Sequence, residues 1–175
     1  MFQLVENVII SKLIVYFKLF FLSINLIINN YMPTEIISNL WIGTLKEVRS
    51  KDFYKDKNIQ LIINCTIDSP FLKVMSNSKK IRVKINDTSD ISNDYLFKLN
   101  NKINYHLLNN MGVLIYCNSG TQCSPMIMCS YMIQFSKINL ENIIQSIQNK
   151  YSNAFNQHNN FKNTLEKYDF FINMK

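Results

Sequence analysis

The chain is poor in glycine and proline, with three of each in 175 residues, which excludes collagen-like repeats and linker-rich architectures. It is poorer still in arginine. Arg49 and Arg82 are the only two, so nearly all of the +7 formal charge comes from lysine. The lysines are scattered, and no basic run of the kind that tracks a nucleic-acid backbone is present, so no nucleic-acid partner is expected. The four cysteines, Cys65, Cys117, Cys123 and Cys129, form no C-x-x-C pair. No histidine stands near them at zinc-finger spacing, and neither a metal nor another cofactor is expected. A disulfide-stapled secreted fold is smaller and richer in cysteine, which leaves a reducing, intracellular and cytoplasmic setting as the expectation. Internal repeats are absent.

What is present is apolar residue, 47% of the chain, enough for one well-cored domain. The first thirty-one residues stand apart. "VIISKLIVYFKLFFLSINLII", residues 8–28, has about the length and apolarity of a membrane helix. Lys12 and Lys18 oppose a simple span, at ~2.5–3.5 kcal/mol each near a bilayer centre, and no small-residue cleavage site follows to make a secretory signal. Ser11, Lys18 and Asn25 recur every seven residues, a narrow polar stripe that suits an amphipathic helix lying on a membrane or over an apolar face. Met32 opens "MPTEIISNLWIG", and residues 1–31 read equally well as an extension from an early start codon. Both readings stand, with 32–175 as the domain.

From Met32 onward, strands and helices alternate. "NLWIG" (39–43), "IQLIINCT" (59–66), "KIRVKIND" (80–87) and "GVLIYC" (112–117) read as strands. "SNDYLFKLNNKINYHLLNN" (92–110), "PMIMCSYMIQF" (125–135), "NLENIIQSIQNKY" (139–151) and "NNFKNTLEKYDFFINM" (159–174) read as helices. The alternation implies an α/β fold with a mainly parallel central sheet of four to five strands flanked by helices.

The segment "GVLIYCNSGTQCSPMIMCSYMI" (112–133) carries the chemistry. Ligands of open α/β sheets bind beyond the carboxyl ends of the strands, and Cys117 sits at such an end. Asn118, Ser119, Gly120, Thr121, Gln122 and Cys123 then curl back to a helix start, with Ser124 as its N-cap and Pro125 at its first position. Backbone N–H groups of a tight loop feeding a helix make an anion cradle, and the same surroundings favour a thiolate. A thiolate beneath a bound phosphate suits phosphoryl transfer through a phosphocysteine. Asp87, in "INDTSD", is the candidate general acid.

In these features the sequence resembles the dual-specificity branch of the protein tyrosine phosphatase superfamily, from about Pro33 to Phe171. "EIISNLWIGTLKEV", "IQLIINCT", "VKINDTSDISNDYLFKLNNKIN", "GVLIYCNSGTQCSPMIMCSYMI", "INLENIIQSIQNKY" and "HNNFKNTLEKYDFF" resemble family segments and occur in family order. The resemblance implies a tyrosine phosphatase-like fold, with Cys117 as nucleophile, Asp87 as general acid and Gly120 as the loop glycine. It makes Ser124 the hydroxyl that helps the thiolate leave. It also implies phosphorylated protein, on tyrosine, serine or threonine, or a kinase as the partner.

Two positions depart from the family's His-Cys-x5-Arg. Tyr116 replaces the histidine and Cys123 the arginine. An arginine fork holds two phosphoryl oxygens and neutralises charge in the transition state, and its loss costs ~10³–10⁵ in rate. The expectation is a pseudophosphatase that binds phosphoproteins or partner proteins. The alternative is an active phosphatase working through Cys117 and Asp87. A third reading is redox chemistry between Cys117 and Cys123, which flank one loop.

Overall fold

The computed structural model describes residues 15–16, 18–20, 32–75, 77–86 and 89–175. The chain divides into two units, Met1–Met32 and Pro33–Lys175. In the first, residues 15–16 and 18–20 are helical. The rest of the 8–28 segment lies outside the described residues, and no helix among those described is long and apolar enough to cross a membrane.

The second unit is a five-stranded sheet with helices. Its strands are β1 (Thr34–Ile37), β2 (Leu40–Thr44), β3 (Ile59–Asn64), β4 (Lys79–Arg82) and β5 (Gly112–Cys117), in the order β1-β2-β5-β3-β4. Only the β1–β2 pair is antiparallel. All six residues of β5 are buried, as the middle strand of a sheet covered on both faces requires. β1 was not expected from the sequence. It turns back through Asn39, whose φ of +62° is a left-handed value that asparagine tolerates.

The strand expected over 80–87 ends at Arg82. One further backbone bond, Val83 N–H to Asn64 O at 2.9 Å, carries it past the ladder. Among the described residues no other strand borders β4 on its outer side, so the ladder does not continue through residues 84–86.

The helices are α1 (Lys51–Asp56), α2 (Asn93–Leu108), α3 (Cys123–Phe135), α4 (Leu140–Lys150) and α5 (Lys162–Asn173). Ser92 and Asn139 cap α2 and α4 through their side chains, each such cap contributing about 1 kcal/mol. α3 is buried from Cys123 through Ile133 and is apolar all round, the pattern of a helix surrounded by protein. It packs against α2, α4, α5 and β5. This central helix and central strand meet at the loop that the sequence singled out.

Candidate active site

β5 delivers Cys117 to the carboxyl end of the sheet, beside Thr44 of β2. Cys117 is 4% exposed. Its sulfur accepts a hydrogen bond from Gly120 N–H at 3.1 Å and lies 3.2 Å from Ser124 Oγ. Gly120 has φ +76°, a conformation that glycine adopts without a Cβ penalty. Residues 118–122 therefore curl over the sulfur, and the first backbone N–H groups of α3 follow directly.

The sequence expectation for the helix start is corrected. α3 begins at Cys123, one residue before the expected cap, and Gln122 at the cap position makes no side-chain capping bond. The Ser124 hydroxyl is turned to Cys117 instead of to the helix N–H groups.

The other loop residues are tied down by neighbours. Ser119 Oγ meets Thr121 Oγ1 at 2.8 Å, and Asn118 Oδ1 accepts from Ser69 Oγ at 3.3 Å. Gln122 donates to His158 O at 2.6 Å and accepts from Asn160 N–H at 3.1 Å. Thr121 O accepts from Phe155 N–H at 2.8 Å. Cys123, 8% exposed, directs its sulfur to Ile85 O at 3.7 Å. Asp87 lies outside the described residues.

The loop opens onto a cleft of about 610 Å³ lined by Cys65, Thr66, Asp68, Asn86, Cys117 and Cys123, among others. Asp68 is the one charged residue among its described lining residues. Arg82 is close by but otherwise engaged. Its guanidinium donates to Thr66 O (3.0 Å), Thr66 Oγ1 (3.2 Å) and Ser69 O (2.7 Å) and lies over the Phe71 ring. Asn64 braces the same turn, bonding Ser69 O and Thr66.

Tyr116, where the family has histidine, is fully buried. Its hydroxyl meets Met75 Sδ at 3.9 Å. Burial pushes its pKa up to about 12, against the opposing effects of Arg82 and an Asn64 hydrogen bond. Burial also pushes the Cys65 thiol well up, and charge on Cys117 and Cys123 would add to this. No disulfide joins any of the four cysteines. Cys65 follows Asn64, the register partner of Tyr116, so it stands next to Cys117 across β3 and β5, whereas Cys123 turns to Ile85.

Sequence reasoning did not find the roles of Cys65, Thr66, Asp68, Arg82, Glu47 and Tyr151 around the loop. A lone arginine in a strand was the one available signal. Glu47 fixes the end of β2 by accepting from Thr44 N–H at 2.8 Å, and burial raises its carboxyl pKa.

Residues 40–170 match the family model described as dual specificity phosphatase, catalytic domain. Human dual specificity protein phosphatase 16 is 24% identical over 129 residues, which cover 69% of this chain and 18% of that protein. The chain thus spans under a fifth of that curated relative. The crystal structure of human DUSP28 is similar with a TM-score of 0.73 at 15% identity, covering 81% of this chain and 98% of that one. A leucine rich repeat and phosphatase domain containing protein from Entamoeba histolytica gives 0.70 at 17% identity, covering 82% and 94%. Likeness at such identities is likeness of fold, and it agrees with the five-stranded sheet.

Proposed function

The chain belongs to the dual specificity phosphatase family, and from that premise we propose that it is a pseudophosphatase, with little or no turnover, that binds phosphoproteins or partner proteins such as kinases. One observation carries the reading: among the described residues lining the cleft over Cys117 there is no cation, and Asp68 is the one charge. A phosphate dianion there meets backbone N–H groups and uncharged polar side chains such as Thr66, Asn118 and Ser119, with no cation among the described lining residues. The family's arginine position is filled by Cys123, whose thiol faces a carbonyl. Arg82 cannot substitute while its fork is spread over the 66–69 turn. Loss of such an arginine lowers turnover by ~10³–10⁵.

The alternative, turnover through a Cys117 phosphocysteine with Asp87 as general acid, is supported by the sulfur geometry. Gly120 N–H and Ser124 Oγ both address the sulfur. In that scheme the thiolate attacks phosphorus, the leaving oxygen takes the proton of Asp87, and water then releases phosphate from sulfur.

Aryl phosphate hydrolysis by the full chain separates the two, measured beside Cys117→Ser and Cys123→Arg. The expected result is no Cys117-dependent turnover in the unmodified chain and gain of turnover in Cys123→Arg. Turnover by the unmodified chain that disappears in Cys117→Ser overturns the pseudophosphatase reading.

A further inference from the structure

Tyr151 closes α4, its N–H bonding Ile147 O at 2.8 Å, and is 5% exposed. Its ring runs beneath the loop, and its hydroxyl is buried without a hydrogen-bond partner. The contact with Gly120 is close. A Cβ built on Gly120 would lie 2.0 Å from the Tyr151 hydroxyl oxygen, so that oxygen stands within about 3.5 Å of Gly120 Cα once a bond of ~1.5 Å is added. Gly120 is also the residue whose N–H holds the Cys117 sulfur. The segment that follows α4 is clamped to the same loop by a second contact, Phe155 N–H to Thr121 O.

A buried hydroxyl with no acceptor costs folding stability and is retained where it serves something else. Glu47 and Cys117 are the ionisable groups whose charge bears on it. Glu47 has an oxygen engaged by Thr44 N–H. The Asn153 side chain approaches the tyrosine oxygen as a donor, which favours its charged form and leaves the hydroxyl's own proton without an acceptor. We propose that Tyr151 is a positioning residue of the Cys117 loop, whose unpartnered hydroxyl supports negative charge on the Cys117 sulfur from behind Gly120. This rests on the reading of the loop as an anion site. Among the described residues, Cys65 from β3 stands beside Cys117, and Cys123 from α3 and Asp68 line the same cleft.

The test is Tyr151→Phe in the full chain, which keeps the ring and removes the oxygen. Iodoacetamide alkylation of Cys117 is followed by peptide mass spectrometry at pH 7 and pH 9.5, beside thermal unfolding and titration with inorganic phosphate. The expected result is ~2–10-fold slower alkylation at pH 7, rates that converge at pH 9.5, and a melting temperature higher by about 2–4 °C. Equal rates at pH 7 overturn the proposal, and so does a lower melting temperature, which would show the hydroxyl to be bonded. Retained phosphate binding by the unmodified chain would then leave the anion-loop reading standing. If the unmodified chain binds no phosphate and Cys117 reacts no faster than in the denatured chain, the loop reading fails and this proposal with it.

Discussion

Gly120→Ala places a methyl group where the structure has no room and at a backbone angle that alanine avoids. The new Cβ would stand 2.0 Å from the Tyr151 hydroxyl, 3.0 Å from its ring carbon Cζ and 3.1 Å from Thr44 Cγ2. The φ of +76° costs an alanine ~1–2 kcal/mol, and forcing an extra carbon into a packed site costs ~1–3 kcal/mol. Together these give a loss of ~2–5 kcal/mol. At about 2–4 °C per kcal/mol for a chain of this size, the melting temperature drops by about 4–20 °C. Urea unfolding with an unchanged m-value is the assay. Adding Tyr151→Phe removes the nearest clash and leaves Cζ at 3.0 Å, so the double variant recovers about 1–2 kcal/mol relative to additivity. A loss below ~1 kcal/mol for Gly120→Ala, or strict additivity with Tyr151→Phe, would refute the packing described here.

Arg82→Ala removes the guanidinium that bonds Thr66 and Ser69; unfolding should show a loss of ~1.5–3 kcal/mol, and amide exchange should quicken across residues 66–69. Burial raises the thiols of Cys65 and Cys129 above the usual cysteine range. Above about pH 8.5 the unfolded chain therefore loses protons that the native chain keeps. Stability is fully present below that pH and falls above it, by as much as ~2.7 kcal/mol per pH unit for two groups, which urea melts at pH 7.5 and pH 9.5 check. Peroxide, taking two electrons and two protons from two thiols to give two waters, should link Cys65 to Cys117. Peptide mapping that finds Cys117 joined to Cys123 instead would contradict the observed side-chain directions.

The fold was legible because its central parts are strongly patterned. The apolar run at 112–117 and the helix after it could be placed from sequence, as could the helix that opens at Ser92. β1 was not, because four residues paired to one neighbour leave little periodicity and the turn depends on Asn39 at positive φ. The extent of β4 was overestimated because alternation in "KIRVKIND" continues beyond the point where β3 offers a partner. In the site, sequence order displayed Cys117, Gly120 and the missing arginine, since they share one loop. It could not display Tyr151, 31 positions after Gly120, or Arg82, 35 positions before Cys117, which reach the site through packing alone. Local propensity read Ser124 as a cap, because it cannot see a sulfur across the loop; only the family resemblance set its hydroxyl beside the thiolate.

The strand order has a consequence for how the chain acquires its site during synthesis. β5 joins β2 to β3, with Leu40 pairing Val113 across 73 positions. Until residue 117 is available, β2 and β3 have no strand between them, and their apolar edges stay open. Contacts this distant in sequence form late and slow folding, while exposed edges invite pairing with other chains. The cysteine loop thus takes shape only at the step that closes the sheet.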